Sequence, residues 1–253
     1  MLLSIDIGNS SIKAANFDND KLVRHFREKD LSKFISEIKN YPLKNAAICS
    51  VVPELTKKLS EKFKQEINIT PYILSKDIEF NLKIEYKSPD TLGIDRLCSA
   101  EGAFFLFKNS DNIKHYDEDT YILSIDFGTA TTINIIEYPG RFIGGLIAPG
   151  IEIMFVSLNK KTAQLPDVGV SNFHSIVGND TNSSIASGVI TSVTGMIEKT
   201  INYLKKQKSA KDIFIYITGG NAKTIIQFLN YKFIYEEALV LYGVNVLWKL
   251  NNK

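Results

Sequence analysis

One hexapeptide occurs twice in the sequence, and this repeat constrains the fold more than any other feature. Leu3-Ser4-Ile5-Asp6-Ile7-Gly8 returns with a single change as Leu123-Ser124-Ile125-Asp126-Phe127-Gly128. Small hydroxyl or amide residues follow each copy, and a second apolar segment comes next, at 12–17 and at 132–136. A turn rich in Asp, Asn, Pro or Gly then ends each unit. We therefore predict a β-hairpin with an acidic glycine turn in each half of the chain.

A single Asp-x-Gly turn needs no function, because glycine allows a positive φ and aspartate caps turns. Two copies half a chain apart indicate instead two similar lobes. Each lobe would present a carboxylate and a glycine-flanked backbone to a ligand between them. A magnesium nucleotide suits that arrangement, since carboxylates hold the hydrated metal and N–H and hydroxyl groups bind phosphate oxygens.

Composition excludes several classes of protein. The 253 residues suffice for one large or two small domains, and 44% hydrophobic with 23% charged residues is ordinary for a globular protein. A net charge of +2 leaves no electrostatic footprint for nucleic acid. Cys49 and Cys98 lack metal or redox spacing and indicate buried thiols with no disulfide. The scattered His25, His115 and His174 do not favour a histidine metal site or triad.

No segment of the sequence predicts association with a membrane. Apolar runs fall short of the roughly 20 residues that a spanning helix needs. Asp6 interrupts the first apolar run before it could serve as the core of a signal peptide. We therefore expect a cytoplasmic protein.

The first half of the chain alternates between helical and extended patterns. Apolar spacing predicts a helix over 31–38 and a buried strand over 45–52. A polar loop over 86–96 then precedes an apolar helix over 97–107. Gly102 lies inside that helix and costs about 1 kcal/mol relative to alanine. The alternation predicts a mixed sheet flanked by helices.

The polar segment 109–119 is the expected linker, so we predict lobes at 1–112 and 113–253. In the second lobe a strand over 142–150 precedes a helix over 151–160, and another helix covers 236–250.

The longest helix is expected over 183–207, with Asp180 or Thr181 as its N-cap. A buried strand over 213–217 then delivers Thr218-Gly219-Gly220-Asn221 to a helix N-terminus. Backbone amides there suit a nucleotide phosphate or base, and a tight turn explains the glycines equally well.

A duplicated α/β chain with an Asp-x-Gly hairpin in each half resembles the actin and sugar-kinase superfamily of ATP-using folds. That resemblance implies two ribonuclease H-like lobes, as in actin-like ATPases, with mixed sheets flanked by helices and a nucleotide cleft between the lobes.

Five motifs in a fixed order narrow the resemblance. They are Asp6-Ile7-Gly8-Asn9-Ser10, Tyr86-x-x-Pro89-x-x-Leu92-Gly93-Ile94-Asp95-Arg96, Asp126-Phe127-Gly128-Thr129-Ala130-Thr131-Thr132, Gly144-Gly145-x-Ile147-x-Pro149-Gly150 and Leu158-x-x-x-Thr162-Ala163-x-Leu165-Pro166. Together they resemble type III pantothenate kinase, which phosphorylates pantothenate with ATP at the first step of coenzyme A synthesis. The resemblance spans residues 3 to about 220.

The resemblance implies roles for individual residues. ATP would contact Asp6, Ile7, Gly8, Asn9, Ser10, Ser11, Ile12, Lys13 and Thr129. Pantothenate would contact Tyr86, Gly93, Ile94, Asp95, Arg96 and Thr181, the last from near the partner subunit of a homodimer. Asp95 would be the catalytic base. Asp126 would hold a monovalent cation, potassium or ammonium, that the enzyme requires besides Mg-ATP.

The chemistry of these side chains is consistent with the implied roles. Phosphoryl transfer depends on positioning and on neutralising phosphate charge. The carboxylate of Asp95 could accept the proton of a primary hydroxyl during the attack on phosphorus. The planar guanidinium of Arg96 could bind the carboxylate of the substrate, an inference from chemistry alone.

The sequence departs from the family at three places. Asn134 replaces an acidic residue near the second repeat, Glu101-Gly102 interrupts a helix usually lined with alanines, and 235–243 lacks a proline-led pattern. These departures leave the proposed base intact and bear on nucleotide affinity and cation choice.

Two other functions stay open. One is an actin-fold kinase for another small alcohol or acid. The other is a nucleotide-responsive regulatory or assembly protein without turnover, against which the intact Asp95-Arg96 pair argues, because a binding switch needs no base.

Overall fold

The structure is a computed structural model that describes residues 1–110 and 116–252. Its contacts divide the chain into two compact units. Unit 1 is drawn from Met1–His115, Pro139–Gly144 and Ala238–Lys253, and unit 2 from Tyr116–Tyr138 and Gly145–Glu237. The expected boundary between residues 112 and 113, within the expected linker, lies outside the described residues. The division into two continuous lobes stays a prediction.

The first sheet has five strands in the order β3-β2-β1-β4-β5. The strands are β1 Leu2–Ile7, β2 Ile12–Asp18, β3 Lys21–Glu28, β4 Asn45–Ser50 and β5 Tyr72–Ile73. The first copy of the repeat forms β1, which pairs antiparallel with β2 and parallel with β4. The sheet is therefore mixed, as predicted.

Side-chain alternation along β1 places Asp6 on the face opposite the first apolar core. Successive residues of a strand point to opposite faces, so Leu3, Ile5 and Ile7 share one face, and Asp6 lies on the other. The three apolar residues are fully buried in a core that includes Phe34. Helices α1 Leu31–Ile38 and α2 Pro53–Lys62 contribute to this core, and a π-helical turn Phe63–Ile67 extends α2.

The second sheet repeats the topology of the first. Its order is β11-β10-β7-β8-β9-β6, so β9-β8-β7-β10-β11 matches the first sheet strand for strand. The strands are β6 Lys83–Ile84, β7 Thr120–Phe127, β8 Ala130–Glu137, β9 Arg141–Pro149, β10 Asp212–Thr218 and β11 Ile234–Tyr235. The second copy of the repeat forms β7, which pairs antiparallel with β8 and parallel with β10. The predicted duplication is confirmed at the level of strand pairing.

The helices of unit 2 are α4 Ile151–Lys161, α5 Thr181–Gln207 and α6 Ala222–Ile225. Of the two candidate caps for α5, Asp180 takes the role, since its carboxylate accepts a hydrogen bond of 3.0 Å from the Ser183 N–H. That bond holds the pKa of Asp180 below its ordinary value. No helix of the described chain is long and apolar enough to cross a membrane.

Helices α3 Ile94–Lys108 and α7 Leu239–Asn251 pack against each other within unit 1. The prediction that Asp95 and Arg96 end a loop before the helix was wrong, because both lie in the first turn of α3. The N-cap is Gly93, which offers no side-chain hydrogen bond to mark the start of the helix.

Two glycines allow α3 and α7 to approach closely. A Cβ placed on Gly102 of α3 would overlap the carbonyl oxygen of Leu239. A Cβ on Gly243 of α7 would overlap the carbonyl oxygen of Cys98. The helix-weakening residue noted at position 102 is therefore required by packing.

Candidate functional site

Asp6 lies near the end of β1, on the face of the first sheet opposite Leu3, Ile5 and Ile7, and is 8% exposed. Its cross-strand neighbour is Lys13 of β2. The Lys13 Nζ lies 3.7 Å from Asp6 Oδ2. The hairpin thus places an anion and a cation side by side at the strand end, where the one suits a metal ion and the other a phosphate.

The turn between β1 and β2 is closed by its own backbone. The Gly8 N–H donates to the Ser11 carbonyl at 3.1 Å, and Arg27 Nε donates to Ser11 Oγ at 2.8 Å. Asn9 and Ser10 are exposed at its tip. This leaves the tip accessible to a ligand.

Some predicted ATP contacts can be made only through the backbone. The side chains of Ile7 and Ile12 are buried in the core, so only their main-chain atoms remain for a ligand. Neither Gly8 nor Gly128 uses the positive φ that glycine allows. The absence of a side chain at Gly128 instead leaves space for the carboxylate of Asp126, since a Cβ would lie 3.3 Å from Asp126 Oδ1.

A buried thiol pair lies near both Asp6 and Asp95. Cys49 pairs with Asp6 in the register of β4 and β1, and it is fully buried, as is Cys98. The hydrogen bond to Cys98 raises the pKa of the Cys49 thiol well above its ordinary value, and burial raises the pKa of Cys98. The charges of both aspartates add to these shifts. Cys98 follows Asp95 by three positions in α3, so the two side chains lie on neighbouring turns of one helix side. The thiols are free and buried, as predicted, but their pairing was missed.

Asp95 occupies the first turn of α3, where the helix dipole favours a carboxylate. Its Oδ1 accepts a hydrogen bond of 2.9 Å from the Arg96 N–H. A Cβ on Gly93 would overlap this same oxygen. The glycine of the Gly93-Ile94-Asp95-Arg96 motif therefore provides the space in which the carboxylate lies.

Arg96 lies beside two aromatic rings. Its guanidinium carbon lies 6.0 Å from the centroid of Tyr86 and 5.9 Å from that of Phe142, and the residue is 6% exposed. The two rings contact each other edge to face at 6.2 Å. These distances are within the range of cation–π attraction. Tyr86 and Arg96 were predicted to lie together, whereas Phe142 was missed.

The segment that carries Tyr86 is paired to the start of β9. The Glu85 N–H donates to the Phe142 carbonyl at 2.9 Å. The Glu85 carboxylate binds Arg141 at 2.7 Å and Lys83 at 2.8 Å. The Arg141 hydrogen bond is the larger of two that lower the pKa of Glu85 to about 2.

Asp126 ends β7, and the turn after β10 packs against it. Gly219 has φ of 104°, and a Cβ there would overlap Asp126 Oδ1 and the Phe127 backbone. The Asn221 N–H donates to the Phe127 carbonyl at 2.9 Å. Tight packing thus explains the first glycine of the Gly219-Gly220 pair.

Thr129 and Asn134 lie in different surroundings. Thr129 is exposed in the turn after β7, and its carbonyl accepts a 2.9 Å bond from the Gly150 N–H. Asn134 is fully buried and pairs with Ser124 in the β7–β8 register. Alternation places Ser124 on the face of Asp126, one pair deeper in the sheet.

Thr181 begins α5 and lines a surface cavity of about 550 Å³ with Leu165, Asp180 and Ser184. Because Asp180 caps the helix, the side chain of Thr181 is not required for that purpose.

The carboxylates present suit a metal that arrives with its nucleotide. No cluster of three or more His, Cys, Asp or Glu side chains that could hold a metal ion occurs within residues 1–110 and 116–252. Magnesium commonly takes one or two carboxylates and completes its shell with phosphates and water, so Asp6 fits that use. The oxygen of Asp126 is likewise a hard donor of the kind that alkali cations prefer.

The family model and the curated relatives that match this chain carry the same family name. The family model for type III pantothenate kinase matches residues 2–203. A type III pantothenate kinase of Legionella pneumophila (strain Paris) is 32% identical over 99% of this chain and 99% of its own length. One from Agathobacter rectalis is 29% identical over 100% of this chain and 98% of its own.

Solved structures show the fold. A conserved Campylobacter jejuni protein, described as a candidate Baf family transcriptional activator, has a TM-score of 0.58 at 22% identity and covers 98% of this chain and 97% of its own. A glucokinase from an Antarctic psychrotroph has a TM-score of 0.50 at 11% identity, covering 98% of each chain. The two mixed sheets of equal strand order and these neighbours confirm the actin-like, sugar-kinase type of α/β fold. By its family match and its full-length relatives, the chain belongs to the type III pantothenate kinase family.

Proposed function

We propose that the protein transfers the γ-phosphoryl group of ATP to the primary hydroxyl of pantothenate, giving 4'-phosphopantothenate at the first step of coenzyme A synthesis. The observation that carries this proposal is the family match, extended to the whole chain by relatives that are aligned over 99% of their length. Support from the geometry comes from Asp95 and Arg96, which adjoin each other in the first turn of α3.

Asp95 acts as the catalytic base in this proposal. The hydroxyl oxygen of pantothenate attacks the γ-phosphorus, the bond to the β–γ bridging oxygen breaks, ADP leaves, and the proton passes to the Asp95 carboxylate. Gly93 and Ile94 line the pocket beside it. Arg96 binds the substrate carboxylate, and Tyr86 supports the guanidinium, as their 6.0 Å contact favours.

The β1–β2 hairpin binds the ATP phosphates. The exposed turn tip and the Lys13 ammonium are suited to phosphate oxygens, and Thr129 adds a further contact. Asp6 holds Mg²⁺, which when bound neutralises phosphate charge.

Further parts of the proposal concern the cation, the oligomer and the compartment. Asp126 holds the monovalent cation, potassium or ammonium. The chain forms a homodimer in which Thr181 reaches the substrate near the partner subunit, and it works in the cytoplasm as two lobes, 1–112 and 113–253.

An ADP-release assay with and without pantothenate, in potassium and in sodium, tests the proposal. We expect pantothenate-dependent turnover that is faster in potassium. Asp95→Asn keeps the shape of the side chain and removes the base, so turnover should fall by roughly 10²–10⁴-fold. Asp77→Asn makes the same change at an exposed position and should leave turnover unchanged.

Three results would contradict parts of this scheme. Near-normal turnover by Asp95→Asn would remove the base assignment, and indifference to the cation would remove Asp126 from its role. ATP binding without turnover on any pantothenate-like substrate would favour the regulatory alternative, and turnover of a different alcohol in a substrate panel would favour the other kinase.

A further inference from the structure

Glu101 is a buried carboxylate in the middle of α3. The residue is 1% exposed, and Ala100 and Ala103 beside it are fully buried. Burial raises the pKa of its carboxyl group. Such a group is costly to bury unless hydrogen bonds satisfy it, so its partners indicate what it does.

Both oxygens of Glu101 bind the segment that precedes Tyr86. Oε1 accepts a hydrogen bond of 2.9 Å from the Leu82 N–H, and Oε2 accepts one of 3.0 Å from Asn81 Nδ2. The Leu82 N–H is a main-chain donor in a buried residue, which would otherwise lose a hydrogen bond on folding. Glu101 therefore attaches the start of this segment to α3.

The other end of the same segment contacts the same helix. Four residues after Leu82, the ring of Tyr86 lies 6.0 Å from the guanidinium of Arg96, in the first turn of α3. Between these ends the segment forms β6. The Lys83 N–H donates to the Gly140 carbonyl, in the turn before β9, at 2.8 Å, and the Glu85 N–H donates to the Phe142 carbonyl of β9 at 2.9 Å. Segment 81–86 is thus attached to α3 at both ends, at its start to Glu101 and at its end to Arg96.

We propose that Glu101 is a positioning residue for the pantothenate pocket, because its carboxylate fixes segment 81–86 on α3 and so sets where Tyr86 meets Arg96. This inference rests on the proposed function. It predicts a defect in pantothenate binding that is separate from ATP binding.

Steady-state kinetics of Glu101 variants provide the test. We expect Glu101→Ala to raise the KM for pantothenate about tenfold or more while the KM for ATP changes by less than about twofold, since only one pocket is misplaced. Glu101→Gln keeps an oxygen for the Leu82 N–H and should restore the KM for pantothenate to within about threefold. Asn81→Ala removes one of the two bonds at an exposed residue, so it gives a milder effect of the same kind if Glu101→Ala does not fold.

Asn245→Ala is a matched control in the same unit. Asn245 is fully buried, and its Nδ2 donates at 3.2 Å to the carbonyl of Asn19, in the turn between β2 and β3. It should lower stability and leave the KM for pantothenate unchanged.

Several outcomes would overturn the inference. They are an unchanged KM for pantothenate in folded Glu101→Ala, an equal rise in the KM for both substrates, and a failure of Glu101→Gln to restore binding. Absence of pantothenate turnover by the unsubstituted protein would instead overturn the proposed function, and the inference with it. Failure of the inference would appear in the kinetics of the variants, whereas failure of the proposed function would already appear in the parent protein.

Discussion

The carboxylate of Asp95 lies where a side chain at Gly93 would have to be. The backbone of Gly93 has φ of −63° and ψ of 135°, which any residue adopts. Steric space is therefore the reason for glycine at this position. A methyl group there would displace the proposed base without removing it.

Gly93→Ala should accordingly impair catalysis in a folded protein. We expect kcat/KM for pantothenate to fall by roughly 10²-fold, as a displacement of about 1 Å at a reacting group can cause. The measurement is steady-state kinetics beside a urea unfolding curve. Gly169→Ala is the control, because Gly169 is the N-cap of the short 3-10 helix Val170–Asn172 and a Cβ there meets no atom within 4 Å. Wild-type kcat/KM in Gly93→Ala would show that the space is not used for positioning.

Individual residues could be predicted when the residues that define their site are close in sequence, and they were missed when their partners are far away along the chain. Asp6, Asp95 and Asp126 could be named as candidates because each lies in a local motif. Glu101 was noted only as a departure, since its partner Leu82 is 19 positions away and no periodic pattern links them. Phe142 was missed because its contact with Arg96 depends on the pairing of β6 with β9.

The crossing of α3 and α7 reverses the expected effect of a glycine. Helix propensity alone predicts that alanine at Gly102 would stabilise α3 by about 1 kcal/mol. At the crossing, however, a Cβ on Gly102 meets the backbone of α7, which cannot move as a flexible side chain could.

We predict that Gly102→Ala lowers the free energy of unfolding by about 1–3 kcal/mol, the usual cost of overpacking. Gly188→Ala serves as the control inside α5, since a Cβ there meets nothing within 4 Å. It should raise the free energy of unfolding by about 0.4–1 kcal/mol. Urea unfolding of both variants measures the difference, and a stabilised Gly102→Ala would refute close contact at the crossing.

Helices were predictable where one face is apolar and a polar cap precedes it. The expected helix over 183–207 matches α5 Thr181–Gln207 to two residues, because a regular apolar stripe follows Asp180. The start of α3 was misplaced because most of its residues are buried and Gly93 gives no cap signal. The expected helix over 236–250 began too early, since the Glu236 N–H still bonds to the Ile217 carbonyl of β10 at 2.9 Å.

Stability of the whole molecule should depend on pH through Glu101. Its pKa is raised in the folded state by burial, so the folded protein holds this proton to a higher pH than the unfolded chain does. Its contribution to stability is therefore complete below the ordinary carboxyl pKa of 4.5 and is lost as pH rises through the raised value.

Urea unfolding of the parent protein and Glu101→Gln between about pH 4 and 8 tests this dependence. We expect the stability of the parent relative to the variant to fall with rising pH, by at most about 1.4 kcal/mol per pH unit. A difference that is constant or rises with pH would contradict the raised pKa.

The duplicated topology was predictable from six repeated residues, because the hairpin that they begin sets the centre of each sheet. The membership of α7 in unit 1 was not, since it depends on contacts with α3 and β1 that span most of the sequence. Local patterns carry no information about such pairings.

The place of α7 in unit 1 has a consequence for biosynthesis. A ribosome makes α7 only after every residue of unit 2, yet α7 packs on the helix that carries Asp95. Domains generally fold as units while the chain emerges. During translation, then, unit 2 can complete its fold before α7 exists, and until then the face of α3 that carries Gly102 stays uncovered. The helix that bears the proposed base can pack against α7 only after translation has passed residue 251.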